Sequence, residues 1–339
     1  MRSARIVIIG GGVVGASVAY HLALRGERDV LVLERAARQG LGSTGRATGG
    51  VRAQFETEVN IRMSLYSIDH FRNCEFETGY DPKGYLFFTT DRTIHEGLKK
   101  NLAKQKELGV EGLEVLDSAD IKSLIPAMNC DDIVGGVFGK QDGFINPVAV
   151  MQGFTKGAVE RGTRIELGRK VTRINVTGGH VVSVSTDIGE IACDAVVVCA
   201  GAWTRELAAT AGVDVPVEPL RRQIVWARCK EALPPDLPMV IDAGNGFHFR
   251  PAVDFWEQDE GSARNRDILF AYPDRDEAPS FNTQFDAAFS DKVYELARHR
   301  AQFLFESEPI VEKCRAGLYE NTPDHHAIIG GCGVEGLYF

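Results

Sequence analysis

Near the start of the chain Ile6-Val7-Ile8-Ile9 runs directly into Gly10-Gly11-Gly12-Val13-Val14-Gly15, the spacing G-x-G-x-x-G. Gly10 permits a tight turn, Gly12 lets the backbone approach a diphosphate, and Gly15 lets the following helix pack on its strand. Val13 and Val14 open that helix, whose free N–H groups and positive dipole end favour an anion. Glu34 follows 24 residues after Gly10, placed to accept from the ribose hydroxyls of an adenine dinucleotide. A second small-residue run, Gly42-Ser43-Thr44-Gly45, suits close approach of backbone to a ligand. Arg52 and Arg250 are candidates for bidentate carboxylate binding. In Phe247-His248-Phe249-Arg250 an extended backbone puts His248 and Arg250 on one face, opposite the phenylalanines. A salt-bridged surface Arg52 and a structural His248 are the alternative readings.

These groups need elements to hold them. The β-branched run Ile6–Ile9 predicts a buried parallel strand, Val13 to about Leu24 a helix ended by Gly26, and Val30–Leu33 a second strand delivering Glu34. Helices are expected over 56–74, 93–108, from Ser118 to before Pro126, and from Pro147 to about Arg161 with Asn146 as cap. A strand is expected over 84–89. Val171–Val176 and His180–Ser185 flank Thr177-Gly178-Gly179, which is hairpin chemistry. Ala195–Cys199 reads as a buried parallel strand running into Ala200-Gly201-Ala202-Trp203, and a glycine at such a strand end is where open α/β sheets hold ligands. Residues 220–227, 246–251 and 267–272 predict strands of a second, mainly antiparallel sheet. Residues 257–266 predict a charged loop, and 291–305 a helix.

The whole-chain quantities are those of an ordinary globular protein. The 339 residues are 44% hydrophobic and 25% charged, enough for two domains of about 150 residues each. A net charge of −9 and the lack of a basic stripe argue against nucleic acid. No apolar run approaches the roughly 18 residues of a membrane span. Seven cysteines without a C-x-x-C pair read as buried thiols in a reducing cytoplasm, and no ligand spacing supports a metal. The adjacent His325 and His326, taken as strand neighbours, point to opposite faces. A strand within five residues of the start leaves no room for a signal peptide.

The segments Gly42-Ser43-Thr44-Gly45-Arg46 and Gly49-Gly50-Val51-Arg52, with the Ala200–Trp203 run and Tyr319-Glu320-Asn321-Thr322-Pro323-Asp324, resemble the FAD-dependent amine and amino-acid oxidoreductases. D-amino-acid oxidase, glycine oxidase and sarcosine oxidase belong to that family, and the β-subunits of sarcosine oxidase and dye-linked L-proline dehydrogenase are especially similar. The resemblance covers nearly the whole chain. It implies an α/β (overall α+β) architecture, with a Rossmann-like FAD-binding domain (1–80, 143–219 and 310–339) interleaved with a mainly antiparallel substrate domain (81–142 and 220–309). It implies FAD along Glu34 and Arg35, along Gly42, Ser43, Thr44 and Arg46, and past Ala47, Thr48, Gly49 and Gly50. Val171 would lie at the adenine, and Ala200, Gly201 and Trp203 against the cofactor. It also implies Arg52 at a substrate carboxylate, His248 on a strand facing the flavin as a candidate orienter or base, Tyr319 at the flavin, and a turn at Thr322-Pro323-Asp324. The implied reaction is oxidation of the C–N bond of a secondary amine or amino acid, sarcosine- or proline-like, by hydride transfer to flavin N5.

Three departures from the family pattern shape the expectation. Gly317 stands where monomeric sarcosine oxidases carry the cysteine that binds FAD covalently, so noncovalent FAD is expected. The stretch 268–272 lacks their oxygen-activating lysine, which favours a dehydrogenase with another electron acceptor. The sequence stops at Gly336-Leu337-Tyr338-Phe339, where relatives continue into a glycine-rich loop and a helix facing the flavin. The alternatives are a 2-hydroxy-acid dehydrogenase on the same fold, or a truncated or noncatalytic subunit. Homo- and hetero-oligomers both fit.

Overall fold

The computed structural model describes residues 2–256 and 264–339. Its nucleotide-binding layer is a five-stranded, all-parallel sheet in the order Leu337–Tyr338, Ala195–Val198, Ile6–Ile9, Val30–Leu33, Arg164–Glu166. Every residue of Val30–Leu33 is buried, as expected for a strand covered on both faces. Helices Val13–Leu24 and Pro147–Glu160 cover one face, where Ile8, Val30 and Val32 meet Ala16, Ala19, Val150 and Phe154. The Asn146 carboxamide accepts from the N–H groups of Val148 and Ala149 at 3.0 Å, so the predicted cap forms, with Pro147 in the first turn.

A four-stranded sheet covers the opposite face. There Val7, Ile9, Leu31 and Leu33 meet Ile174, Val181 and Val184. Its hairpin joins Val171–Thr177 to His180–Thr186 through Gly178 and Gly179, with φ of +61° and +85°. Two consecutive positive φ values make the turn whose twist matches its strands.

The larger, mainly antiparallel sheet has the order Glu308–Pro309, Glu218–Arg228, Asp267–Ala271, His248–Pro251, Met239–Asp242, Tyr85–Thr89, Gly135–Gly139, Leu113–Leu116. Met239–Asp242 and Tyr85–Thr89 run parallel. Arg315–Asn321 pairs with residues 218–224 of the long strand, which then continues against Asp267–Ala271. Helices Ser118–Leu124 and Ala287–Arg300 cover the far face, over Leu86, Phe88, Phe249 and Phe270.

Some expectations change. The helix expected over 291–305 is two, Ala287–Arg300 and Gln302–Phe305, broken at Ala301, which is extended at φ −149°. The glycine-rich stretch after Glu34 is not all loop: Ser43–Arg46 forms one helical turn, and Gly50–Val51 pairs with Gly143–Phe144. His325 and His326 lie in a turn after Asn321, not in a strand. There Asp324 accepts the His326 N–H at 3.1 Å. The charged loop over 257–266 lies outside the described residues as far as 263, and Arg264–Arg266 forms a single 3-10 turn.

Candidate active site

The carboxyl ends of the central parallel strands meet at one groove. Gly10 turns the chain at φ +107°, and a Cβ there would collide with the Cys199 carbonyl. A Cβ on Gly15 would collide with the Gly10 carbonyl, so helix and strand can close only over glycine. Gly12 caps the helix without a side chain; Thr44 Oγ1 accepts the Val13 N–H at 3.0 Å, and Val14 is exposed. Where side chains would project at Gly42 and Gly201 there is open space. Glu34 Oε2 accepts the Gly11 N–H at 2.9 Å, and Oε1 that of Ala36 at 2.8 Å. A carboxylate has about four acceptor positions, so Glu34 retains capacity for a hydroxyl pair. Its carbonyl accepts the Arg169 N–H at 2.8 Å, which brings the start of the Val171 strand, where Val171 is itself buried, beside it.

On the other side, the Cys199 N–H bonds the Ile9 carbonyl at 2.8 Å and leads Ala200, Gly201 and Trp203 across the groove. The Arg35 guanidinium stacks 3.5 Å from the Trp203 ring, which in turn stacks on Phe281 at 5.4 Å.

The glycine-rich strap from 42 to 50 is tied to the C-terminal strand of the larger sheet. Ser43 Oγ donates to Leu318 O at 2.7 Å, and Arg46 Nη1 to Ala316 O at 2.7 Å. In return Arg315 donates to the carbonyls of Arg46 and Ala47 at 3.2 and 3.1 Å. The side chains of Ser43 and Arg46 are therefore engaged with protein, and the strap offers a ligand chiefly backbone. Gly49, at φ +73°, accepts from Ile145 N at 2.8 Å.

Beyond the strap, the larger sheet presents a polar face. Register pairs Tyr85 with Met239, Phe87 with Ile241, and Ile241 with His248, so these residues share one side, while Leu86, Phe88 and Phe249 enter the core. His248 and Arg250 lie opposite Phe249, as the alternation predicted. Arg52 reaches this face with its guanidinium over Phe55 (4.6 Å) and Phe87 (5.1 Å), and its buried Nε has no hydrogen-bond partner. Asp142 stays close behind, accepting from Ala53 N at 2.7 Å and Gln54 Nε2 at 2.9 Å; burial pushes its carboxyl up to about 6. Arg250 is fully buried over Phe144 at 3.9 Å and donates to Thr48 O at 2.5 Å and to Pro251 O at 2.8 Å. Burial lowers its pKa to about 10. His248 Nδ1 lies 2.9 Å from the Gly246 carbonyl. A carbonyl only accepts, so Nδ1 carries the proton and Nε2 is left with a lone pair. Burial lowers the His248 pKa, which favours that neutral form. Tyr319 is exposed on the strand paired to Leu220, with Arg222 5.9 Å from its ring.

Residues 5–339 match the family model described as DAO, FAD dependent oxidoreductase. The chain belongs to the DAO family. Among its DAO relatives, 4-methylaminobutanoate oxidase (formaldehyde-forming) of Paenarthrobacter nicotinovorans is 33% identical over 252 residues, covering 73% of this chain and 30% of that protein. Mitochondrial dimethylglycine dehydrogenase of Rattus norvegicus is 31% identical over 260 residues, covering 74% and 30%. The chain thus spans about 30% of the length of these curated relatives. The crystal structure of L-proline dehydrogenase from P. horikoshii superposes with a TM-score of 0.88 at 24% identity, over 99% of this chain and 87% of that one.

The groove fits the FAD of the DAO family. A Cβ at Gly10 or Gly15 would strike neighbouring backbone, Gly42 and Gly201 face open space, the Gly12 cap adds no side chain at the helix start, and an acid stands on the neighbouring strand. Among the described residues no cluster of three or more His, Cys, Asp or Glu side chains could hold a metal, and no helix is long and apolar enough to cross a membrane. Sequence reasoning missed Gln39, whose Nε2 donates to Gly11 O at 2.7 Å, together with Asp142 and Tyr85. The Gly-Tyr-Leu-Phe-Phe-Thr run marked a strand, but its pairing partners, and hence Tyr85's neighbours, came only with the fold.

Proposed function

We propose that this chain dehydrogenates the C–N bond of a secondary amine or N-alkylated amino acid that carries a carboxylate, using noncovalently held FAD. The observation that carries this reading is the partly buried Arg52 guanidinium beside the glycine strap, whose buried Nε has no partner, with His248 on the same face. A buried donor without a partner is costly until an acceptor meets it. The names of the relatives point the same way, since 4-methylaminobutanoate, dimethylglycine and sarcosine each join an N-methyl amine to a carboxylate. Gly317, in place of an attaching cysteine, supports the noncovalent form.

In this reading Gly10, Gly12, Val13, Val14 and Gly15 hold the diphosphate and Glu34 the ribose. Arg35, Val171, Ala200, Gly201 and Trp203 flank the adenosine, and Gly42 to Gly50 line the remainder. FAD, when bound, accepts the hydride equivalent from the carbon next to nitrogen. Arg52 fixes the carboxylate, and so the carbon to be oxidised. His248 accepts the ammonium proton at Nε2, leaving the amine lone pair free. Arg250 holds the Thr48 carbonyl and so positions the strap, and Tyr319 closes the open side. The proposed division is a discontinuous FAD domain (1–80, 143–219, 310–339), which holds the whole parallel sheet, and a substrate domain (81–142, 220–309), with Arg315–Asn321 of the first pairing into the larger sheet of the second. The lack of a lysine in 268–272 supports a dehydrogenase. Seven unpaired thiols support a cytoplasmic setting.

The test is anaerobic mixing of the purified flavoprotein with sarcosine, dimethylglycine and L-proline. Bleaching of the flavin absorbance by at least one is expected. Bleaching by 2-hydroxy acids alone, or by none of these compounds, overturns the reading.

A further inference from the structure

Tyr85 is 4% exposed and sits at the start of Tyr85–Thr89, its ring among Phe87, Phe144 and Met239. Its hydroxyl abuts Gly50 so closely that a Cβ at that position would overlap it. Its main-chain carbonyl accepts from Gln54 Nε2 at 3.1 Å, yet among the described residues the hydroxyl itself has no hydrogen-bond partner. A buried phenol ordinarily finds one. The groups whose charge it feels are Arg52, Arg250, Asp142 and Tyr319, which all border the candidate site. Arg52 Nε, which is buried and unpaired, belongs to a guanidinium lying over Phe87, two residues along the same strand face.

The Arg52 guanidinium and the Tyr85 hydroxyl are two donors without a protein acceptor among the described residues, beside the same glycine strap, and they call for one acceptor group that can take both. A carboxylate does so with its two oxygens. We propose that the Tyr85 hydroxyl is the second donor to the substrate carboxylate, acting together with Arg52. This rests on the amino-acid reading above and adds a specificity-determining residue to it. Burial pushes the phenol up to about 12, so it stays a donor across the working pH range. Met239 and Ile241 border Tyr85 and Phe87 on the adjacent strand, so the walls around this donor pair are apolar. The strap at Gly50 must therefore remain glycine for the hydroxyl to reach the site at all.

The experiment uses the FAD-loaded full chain and the Tyr85→Phe variant, which keeps the ring and its packing. Pyrrole-2-carboxylate, which this chemistry does not dehydrogenate, is titrated while the flavin absorbance is followed. Wild-type protein should show a saturable perturbation, and Y85F should bind this probe roughly 10- to 100-fold more weakly. Its KM for sarcosine or L-proline should rise by a similar factor, with kcat changed less than about threefold. Uncharged pyrrole should bind both proteins alike. Adding Y85F to R52Q should cost less than the two separate losses together, because the donors share one acceptor. Equal probe affinity in wild type and Y85F overturns the Tyr85 assignment while leaving the amino-acid reading intact. A changed flavin spectrum or FAD loss in ligand-free Y85F also overturns it, by assigning the hydroxyl to the cofactor. No response to any carboxylate in flavin-loaded wild type overturns the amino-acid reading and Tyr85's part in it together.

Discussion

At the scale of single residues, the site sets charge against burial. Arg52 lies on two phenyl faces with Nε unpaired, and Arg250 is wholly enclosed yet bonded to two carbonyls. The two arginines therefore predict different losses. R52Q should raise the KM for an amino-acid substrate about 100-fold, the worth of a charge-assisted pair, with FAD content and melting temperature near wild type. Steady-state kinetics beside flavin quantitation check it. For His248, burial lowers the pKa, so the imidazole is neutral at pH 7 and gains a proton only below its ordinary range. The wild-type kcat/KM profile should accordingly fall on the acid side below the usual histidine value, and H248N should flatten that limb while lowering the plateau. A limb unchanged in H248N would remove His248 as the base. Residue type and alternation put His248 and Arg250 on one face, while Arg52 was singled out by the glycine run it follows and by the family resemblance. Tyr85 and Asp142 were not, since what singles them out is a missing partner or a buried carboxylate, and neither can be seen before chains cross.

At the scale of elements, close approach decides. Gly15→Ala would push a methyl into the Gly10 carbonyl, so helix 13–24 must shift off its strand and move the N–H groups at its start, the proposed diphosphate site. The expected outcome is protein purified with less than about a tenth of the wild-type FAD and a melting temperature lower by several degrees. Absorbance ratio and calorimetry measure both. The strand–glycine–helix–strand–acid unit was legible because periodicity, cap chemistry and turn glycines all agree there. Gly135–Gly139 shows the opposite case. Three glycines in five residues carry no strand propensity, yet the segment pairs with Tyr85–Thr89, because a Cβ at Gly136 would strike the Phe87 carbonyl. The break at Ala301 was equally hidden, since the apolar spacing continues across it and the Arg300 contacts, not local propensity, turn the chain.

At the scale of the whole molecule, distant segments are stitched by charge. The buried Arg300, at the end of helix 287–300, forms a two-pronged pair with Asp132 at 2.8 and 3.1 Å and also donates to Asn129 O at 2.6 Å. The Arg300 hydrogen bond is the leading cause that holds the Asp132 carboxyl down at about 2, against an ordinary 3.8. A depressed carboxyl adds stability that is present above 3.8 and is lost as pH falls through about 2. D132N should thus lower stability by about 1–3 kcal/mol near pH 7, an amount moderated by the half-exposed carboxylate. The gap to wild type should close in the acid range, as denaturant titrations at several pH values can read. The pairing of 132 with 300 was invisible in sequence, as were the cross-ties from Arg46 and Arg315, because each joins segments more than 160 residues apart. One further feature governs motion. The strand Glu218–Arg228 is zipped to 315–321 along its first seven residues and to 267–271 along its last four, without interruption. A clamshell opening there would have to crease a hydrogen-bonded ribbon at Ile224, so the two bodies share an axle with no hinge. Solution scattering curves before and after saturation with substrate should therefore superimpose.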